Sequence, residues 1–227
     1  MADSQPDPIA ASMEQLSPST LERSGALFYS GPSAFQGHRD LYILGLNPGG
    51  SPVSQASETV ARSLEEWKGR AAPWSAYLDD SWQGKPPETH GLQPRMRHVF
   101  ERLGLNLREV PDSNVLFVRS TSEETLGREK EVLLKQCWVV HDAVLQSLGI
   151  GTVLCLGGTA GRWTREAIGA DRLIDRFREQ NARGWRSEAH VAPDGRAGVT
   201  VTHPGRADWR NPAADPTPLI RAVLART

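Results

Sequence analysis

Two polar residues stand where a strand ends and a proline-glycine turn begins. Asn47 closes the run Leu41-Tyr-Ile-Leu-Gly-Leu-Asn47-Pro48-Gly49-Gly50. His203 closes the run Gly198-Val-Thr-Val-Thr202-His203-Pro204-Gly205-Arg206. Each apolar, β-branched stretch predicts a buried strand, and proline followed by glycine forces the chain to turn. In open α/β sheets, ligands bind just outside the carboxyl ends of strands. An asparagine there offers an acceptor oxygen and two N–H donors at a fixed point. Histidine offers a donor or an acceptor near neutral pH. By itself Asn47 reads first as the organiser of a Pro-Gly turn, since short motifs misfire often. The matching second motif raises the ligand reading, because two strand exits can face one cleft.

The elements that must position these residues alternate. Helices are predicted at Ile9 to Ser24, 55–68, Gly91 to Leu103, Glu123 to Leu148, 159–169 and 215–226. Strands are predicted at 40–46, 114–119, 152–156, 185–192 and 198–202, the last two joined by a hairpin turn at Pro193-Asp-Gly. Alternation of strands and helices predicts an α/β protein, three layers of α/β/α around a mostly parallel central sheet. Residues 1–9 are expected to be disordered, and residues 10–227 to form a single domain.

Composition narrows the function. A length of 227 residues suits one domain with a sizeable core. No run approaches the ~18 apolar residues of a membrane helix, and the acidic start is unlike a secretory signal. A cytoplasmic monomer is the expectation. Cys137 and Cys155 are too few for a disulfide framework or an iron–sulfur cluster, and no Cys/His spacing suggests zinc. No metal and no cofactor are expected. The net charge of −1 argues against indiscriminate nucleic-acid binding, but it is unevenly spread. Residues 1–155 carry 14 Lys/Arg and 19 Asp/Glu, whereas residues 156–227 carry 12 and 8. The late cations are mostly arginines, among them Arg162, Arg165, Arg183, Arg186, Arg206 and Arg210. Arginine's planar fork suits phosphate; an Arg-biased solvated surface is the competing reading.

Together the two turns resemble the signature motifs of the uracil-DNA glycosylase superfamily. That family carries a Gly-x-Asn-Pro-Gly turn after its first strand and a His-Pro-Ser loop after its last. The first motif looks most like the mismatch-specific and single-strand-selective branches. Asn114-Val-Leu-Phe-Val118 and Thr152-Val-Leu-Cys-Leu156 resemble the family's second and third strands. The resemblance runs from Leu41 to the C-terminus and implies a uracil-DNA glycosylase-like fold. Two cysteines exclude the cluster-bearing branch.

The resemblance implies a monofunctional DNA glycosylase acting in DNA repair or antiviral defence, with single- or double-stranded DNA as partner. Cleaving an N-glycosidic bond makes the sugar cation-like and the departing base anionic, and both must be stabilised. By resemblance, Asn47 orients the attacking water, and His203 donates an N–H to an oxygen of the departing base. No lysine stands in either motif, so no Schiff-base step is implied. A base in duplex DNA must first be flipped out. The loop after His203 would be the wedge, with Arg206 or Trp209 filling the vacated stack and Arg210 holding a phosphate; Trp209 reads equally as a packed core residue. Gly205 replaces the family's serine and could offer a backbone N–H instead. Gly158, in Gly157-Gly-Thr-Ala-Gly161, and nearby Arg162 are further phosphate candidates.

Departures from the family shape the substrate expectation. The family's uracil-specific branches place a base-reading Asn at the end of the second strand. Here the predicted strand ends in Val118-Arg119-Ser120, leaving Arg119 or Ser120 for that task, with Asn114 earlier in it. Many members close off the C5 side of a pyrimidine with an aromatic ring after the first turn. Gly49 and Gly50 stand there instead, and Gly50 is read as the space the ring would occupy. A pocket open at C5 implies a bulky 5-modified pyrimidine, as found in some phage DNA, rather than plain uracil. Trp74 or Tyr77 could stack on the base, or anchor a long loop to the core. The alternative function is a non-catalytic nucleic-acid or nucleotide binder on the same fold.

Overall fold

The computed structural model of the chain describes residues 7–226. A six-stranded sheet runs through its centre in the order β2-β1-β3-β6-β5-β4. Its strands are β1 (Leu41–Gly45), β2 (Asp112–Asn114), β3 (Thr152–Leu156), β4 (Arg172–Arg178), β5 (Arg186–Val191) and β6 (Ala197–Val201). Strands β2, β1, β3 and β6 are parallel, and β5 and β4 add an antiparallel hairpin at one edge.

All five residues of β1 are buried, which explains its unbroken apolar run: a parallel strand covered on both faces need not alternate. Tyr42 and Leu44 join one core cluster, with Leu133, Val140 and Val144 of α5 (Lys130–Leu148) and Ile9 and Met13 of α1 (Pro8–Met13). Leu41 and Ile43 join the other, with Met96, Val99 and Phe100 of α4 (Gln93–Leu103) and Leu219, Ile220 and Val223 of α7 (Thr217–Leu224). Successive side chains of a strand point to opposite faces. Two apolar clusters on the two faces of one sheet therefore make the α/β/α layering. The remaining helices are α2 (Pro18–Leu21), α3 (Val60–Lys68) and α6 (Gly158–Ile168).

Several expected boundaries move. The segment 1–6 lies outside the described residues, but Pro8 and Ile9 belong to α1, where Ile9 is 2% exposed. Asp7 caps that helix through its side chain. The first expected helix is two, because Ser17 and Pro18 start a new one. The expected helix from Glu123 divides as well: Gly127 adopts φ +52°, and a 3₁₀ turn over Glu124–Glu129 precedes α5. Strand β4 was not foreseen; Arg-rich Arg172–Arg178 is an edge strand, exposed over much of its length. The hairpin turn at Pro193-Asp-Gly joins β5 to β6, with Gly195 at φ +93°. The second strand is shifted most. It covers Asp112–Asn114 rather than 114–119, which puts Asn114 at its carboxyl end, opposite Gly45.

This order has a switch point. From β1 the chain goes to β2 on one side, then returns to β3 on the other. Such reversals leave a crevice at the carboxyl ends of the strands.

Candidate active site

The crevice is a cleft of about 1730 Å³. Asn47 after β1, Asn114 at the end of β2, Gly157 and Gly158 after β3, and His203 after β6 all line it. Asn47 and His203 therefore face one cleft.

Asn47 is held by its nitrogen. Its Nδ2 donates to Ser120 Oγ at 2.9 Å and to the Pro48 carbonyl at 3.1 Å, with the carbonyls of Val118 and Ser120 at 3.5 Å. Ser120 Oγ donates its own hydrogen bond to the Ser122 carbonyl at 3.0 Å, so towards Asn47 it acts as acceptor. A ring of oxygens around Nδ2 fixes which way the amide points. Oδ1 has no partner among the described residues and remains the acceptor at the cleft. Ser120 was expected to touch substrate; it orients Asn47 instead.

His203 is held by its other nitrogen. Gly205 donates its backbone N–H to Nδ1 at 2.9 Å. In a neutral imidazole the proton then sits on Nε2, the nitrogen left to donate. Burial lowers the imidazole pKa below its ordinary value, and the charges of Arg206 and Arg95 lower it further. The ring is thus a neutral donor at physiological pH. A Cβ on Gly205 would lie 2.9 Å from Nδ1. Gly205 thus seats the histidine, and its backbone N–H is spent on the ring. Gly157, at φ +107°, lies beside His203, where an added Cβ would be 3.5 Å from the histidine Cβ.

Asn114 is the residue that sequence reasoning misplaced. Its Oδ1 lies where a Cβ on Gly45 would be, 2.1 Å away. The first glycine of Gly45-Leu-Asn-Pro-Gly49 is therefore required so that the Asn114 amide can lie over the end of β1. The Tyr29 hydroxyl lies against that amide, and burial raises the Tyr29 pKa to about 12. The Asn114 side-chain amide thus lines the cleft at the exit of the second strand. The usable signal was Gly45 itself, a glycine inside a strand marking a close approach.

The remaining expected residues divide. Gly49 faces open space, with nothing within 4 Å of an added Cβ. Gly50 does not: at φ +105°, an added Cβ would meet Gln55 Oε1 at 2.0 Å. The open position is Gly49, and the assignment to Gly50 is corrected. Arg119 is a strut rather than a base reader. Its side chain is 6% exposed and pairs with Glu58 at 3.0 Å, and it reaches the Gly49 carbonyl at 3.4 Å. Tyr77 is buried and stacks on Tyr29, with ring centroids 6.4 Å apart. Trp74 lines the cleft with Nε1 bonded to Asp80 and the Arg70 guanidinium 3.6 Å from its ring centre.

Trp209 is not a wedge. It is 0% exposed, and its Nε1 donates to the Thr202 carbonyl at 3.1 Å. The ring fills the core beneath the loop, which its bulk and single N–H equally suit. Arg210 is held by Asp208 through two bonds of 2.9 Å, a pairing that lowers the Asp208 pKa to about 2. Arg162 pairs with Glu166 at 3.7 Å on α6 and stands outside the cleft lining. Gly158 opens α6 with free space around it. Arg206 is exposed, lines the cleft and has no side-chain ion-pair or hydrogen-bond partner among the described residues. Of the late arginines, Arg186 and Arg206 line the cleft and Arg183 lies beside them, bonded to the Arg206 carbonyl, while Arg162 and Arg210 pair with carboxylates and Arg165 bonds the Ala170 carbonyl.

In comparisons with known proteins, no family model matches the chain and no curated protein matches it. Among the described residues, no helix is long and apolar enough to cross a membrane.

Proposed function

We propose that the chain is a monofunctional DNA glycosylase of the uracil-DNA glycosylase type, taking a pyrimidine whose C5 substituent is large. One observation carries the reading. Asn47 and His203 are each anchored by one polar atom, so that an acceptor oxygen and a donor N–H remain for the same cleft. Those are the two groups that base excision needs. The bond between sugar C1′ and the base nitrogen breaks, and its electron pair leaves on the base. The Nε2–H of His203 hydrogen-bonds the base oxygen on which that charge gathers. Asn47 Oδ1 accepts a hydrogen bond from water and aims it at C1′, where the new C–O bond forms and a proton is lost to solvent. An amide is a poor base, so leaving-group stabilisation carries most of the rate. Asn114, its amide braced by the Tyr29 hydroxyl, is the side-chain amide placed to read the base edge.

The space at Gly49 supports the substituent. Gly49 leaves its side of the turn open, with nothing within 4 Å of an added Cβ. DNA substituted at C5 is typical of some phages, which makes defence the matching role. The test is alkali-revealed strand cleavage over oligonucleotides bearing uracil, 5-hydroxymethyl and larger 5-substituted pyrimidines, with modified phage DNA alongside. Cleavage of the large substrates at least as fast as uracil is expected. Binding without cleavage of any substrate would replace this reading with that of a non-catalytic binder.

A further inference from the structure

The connection between β4 and β5 takes no part in the chemistry proposed above, yet it forms part of the cleft wall. It is well tied. Asn181 Oδ1 accepts the backbone N–H groups of Arg183 and Gly184 at 3.0 and 3.2 Å. Glu179 N–H donates to the Trp185 carbonyl at 2.8 Å. The loop is also fastened to the segment that carries His203: Arg183 donates to the Arg206 carbonyl at 2.5 Å, and Gln180 N–H donates to the Ala213 carbonyl at 2.7 Å.

Trp185 stands on this frame at the cleft, 38% exposed. The Arg183 guanidinium lies 4.4 Å from its ring centre. At the cleft rim this ring offers an aromatic face on which a flat base could stack. The charges around it point the same way. Arg178 and Arg186 are direct partners across the β4–β5 ladder, so their side chains share a face, an arrangement that costs stability when both are cations. Neither has an ion-pair or hydrogen-bond partner among the described residues, and Arg206 is likewise unpaired. Uncompensated cations beside an exposed indole match a polyanion with flat rings.

We propose that the β4–β5 hairpin is a second DNA contact. Trp185 stacks on an unpaired base next to the one in the cleft, and Arg178, Arg186 and Arg206 take the adjoining phosphates. This rests on the cleft receiving DNA, but not on catalysis. It gives the protein a preference for single-stranded or locally opened DNA, because a base still paired in a duplex has no free face to offer.

Fluorescence anisotropy with a labelled single-stranded oligodeoxynucleotide of about 16 nucleotides, and with the same sequence as a duplex, tests it. Trp185→Ala should weaken single-strand binding about 5- to 100-fold, duplex binding less, and leave the salt slope unchanged. Trp185→Phe should keep most of the affinity. Arg178→Gln with Arg186→Gln should reduce the slope of log affinity against log salt by about 1.4. Wild-type affinity in Trp185→Ala, or an unchanged slope in the arginine variant, overturns the hairpin contact while leaving the cleft reading intact. No DNA binding by the wild type at low salt overturns both.

Discussion

Gly205 donates its backbone N–H to Nδ1 of His203 across 2.9 Å, and that single bond decides which histidine nitrogen can serve a substrate. The absence of a side chain at Gly205 is part of the arrangement, since a Cβ there would press on the ring. Gly205→Ala should shift the imidazole without unfolding the loop. A displacement of this kind costs about 10²-fold in rate. His203→Ala, which removes the donor, should cost ~10²–10³-fold. Single-turnover base release and DNA affinity, measured together, check this: both variants should lose rate and keep binding.

The same bond sets a pH dependence. Protonated His203 would carry a hydrogen on Nδ1, facing the Gly205 N–H, so the charged ring loses its anchor. Burial and the neighbouring arginines already lower its pKa. The midpoint of the acid-side decline in single-turnover rate should therefore lie below pH 6.5. An inflection above 6.5 would mean that the imidazole is stabilised as a cation in the cleft.

Asn47 invites the substitution Asn47→Asp, because a carboxylate is the stronger base. Four oxygens surround Nδ2, however. An aspartate would set its own oxygen against them, with no hydrogen to share. The variant should be slower than the wild type. Ser120→Ala, which removes one acceptor worth about 1 kcal/mol, should cost about fivefold by freeing the amide to rotate. A faster Asn47→Asp enzyme in single-turnover assays would show that amide orientation does not matter.

Two adjacent glycines should respond differently to the same replacement. Gly49→Tyr places a ring in open space at the turn, and a ring there excludes any substituent needing that volume. Cleavage of large 5-modified substrates should fall while uracil cleavage holds. Gly50→Tyr should instead lower the melting temperature, since φ +105° and the Gln55 amide both oppose a side chain. Substrate panels and thermal melts of both variants decide it.

Beneath the sheet, His141 is fully buried, with Nδ1 at 2.8 Å from the Tyr42 hydroxyl and Nε2 at 3.2 Å from the Val115 carbonyl. Burial lowers its pKa to about 4, against 6.5 when unfolded. The unfolded chain thus binds this proton more readily than the folded one. Stability is complete above pH 6.5 and falls as pH drops towards 4, by on the order of 3 kcal/mol. His141→Gln should flatten that part of the stability–pH curve in chemical denaturation. An unchanged slope would assign the acid loss to other groups.

What the sequence determined by itself was local. An apolar run ending in Asn47-Pro48-Gly49 requires a strand and a turn whatever surrounds them, and so does Val199–Val201 before His203-Pro204-Gly205. The two polar residues at strand exits, the alternating elements and the layered class followed from that. What tertiary structure decided were matters of register and of who fills which space. Asn114 reached the cleft because β2 pairs with β1 two residues earlier than its apolar stretch suggested, and a shift of register changes where each side chain stands. Trp209 read equally as wedge or core residue because an indole serves either place, and only the packing around Thr202 chose between them. Gly50 looked open because an empty side chain says nothing of its neighbours; Gln55, five residues on, had already taken the room. Strand β4 escaped notice because an edge strand needs no apolar run; its backbone pairs with β5 while its arginines stay in water.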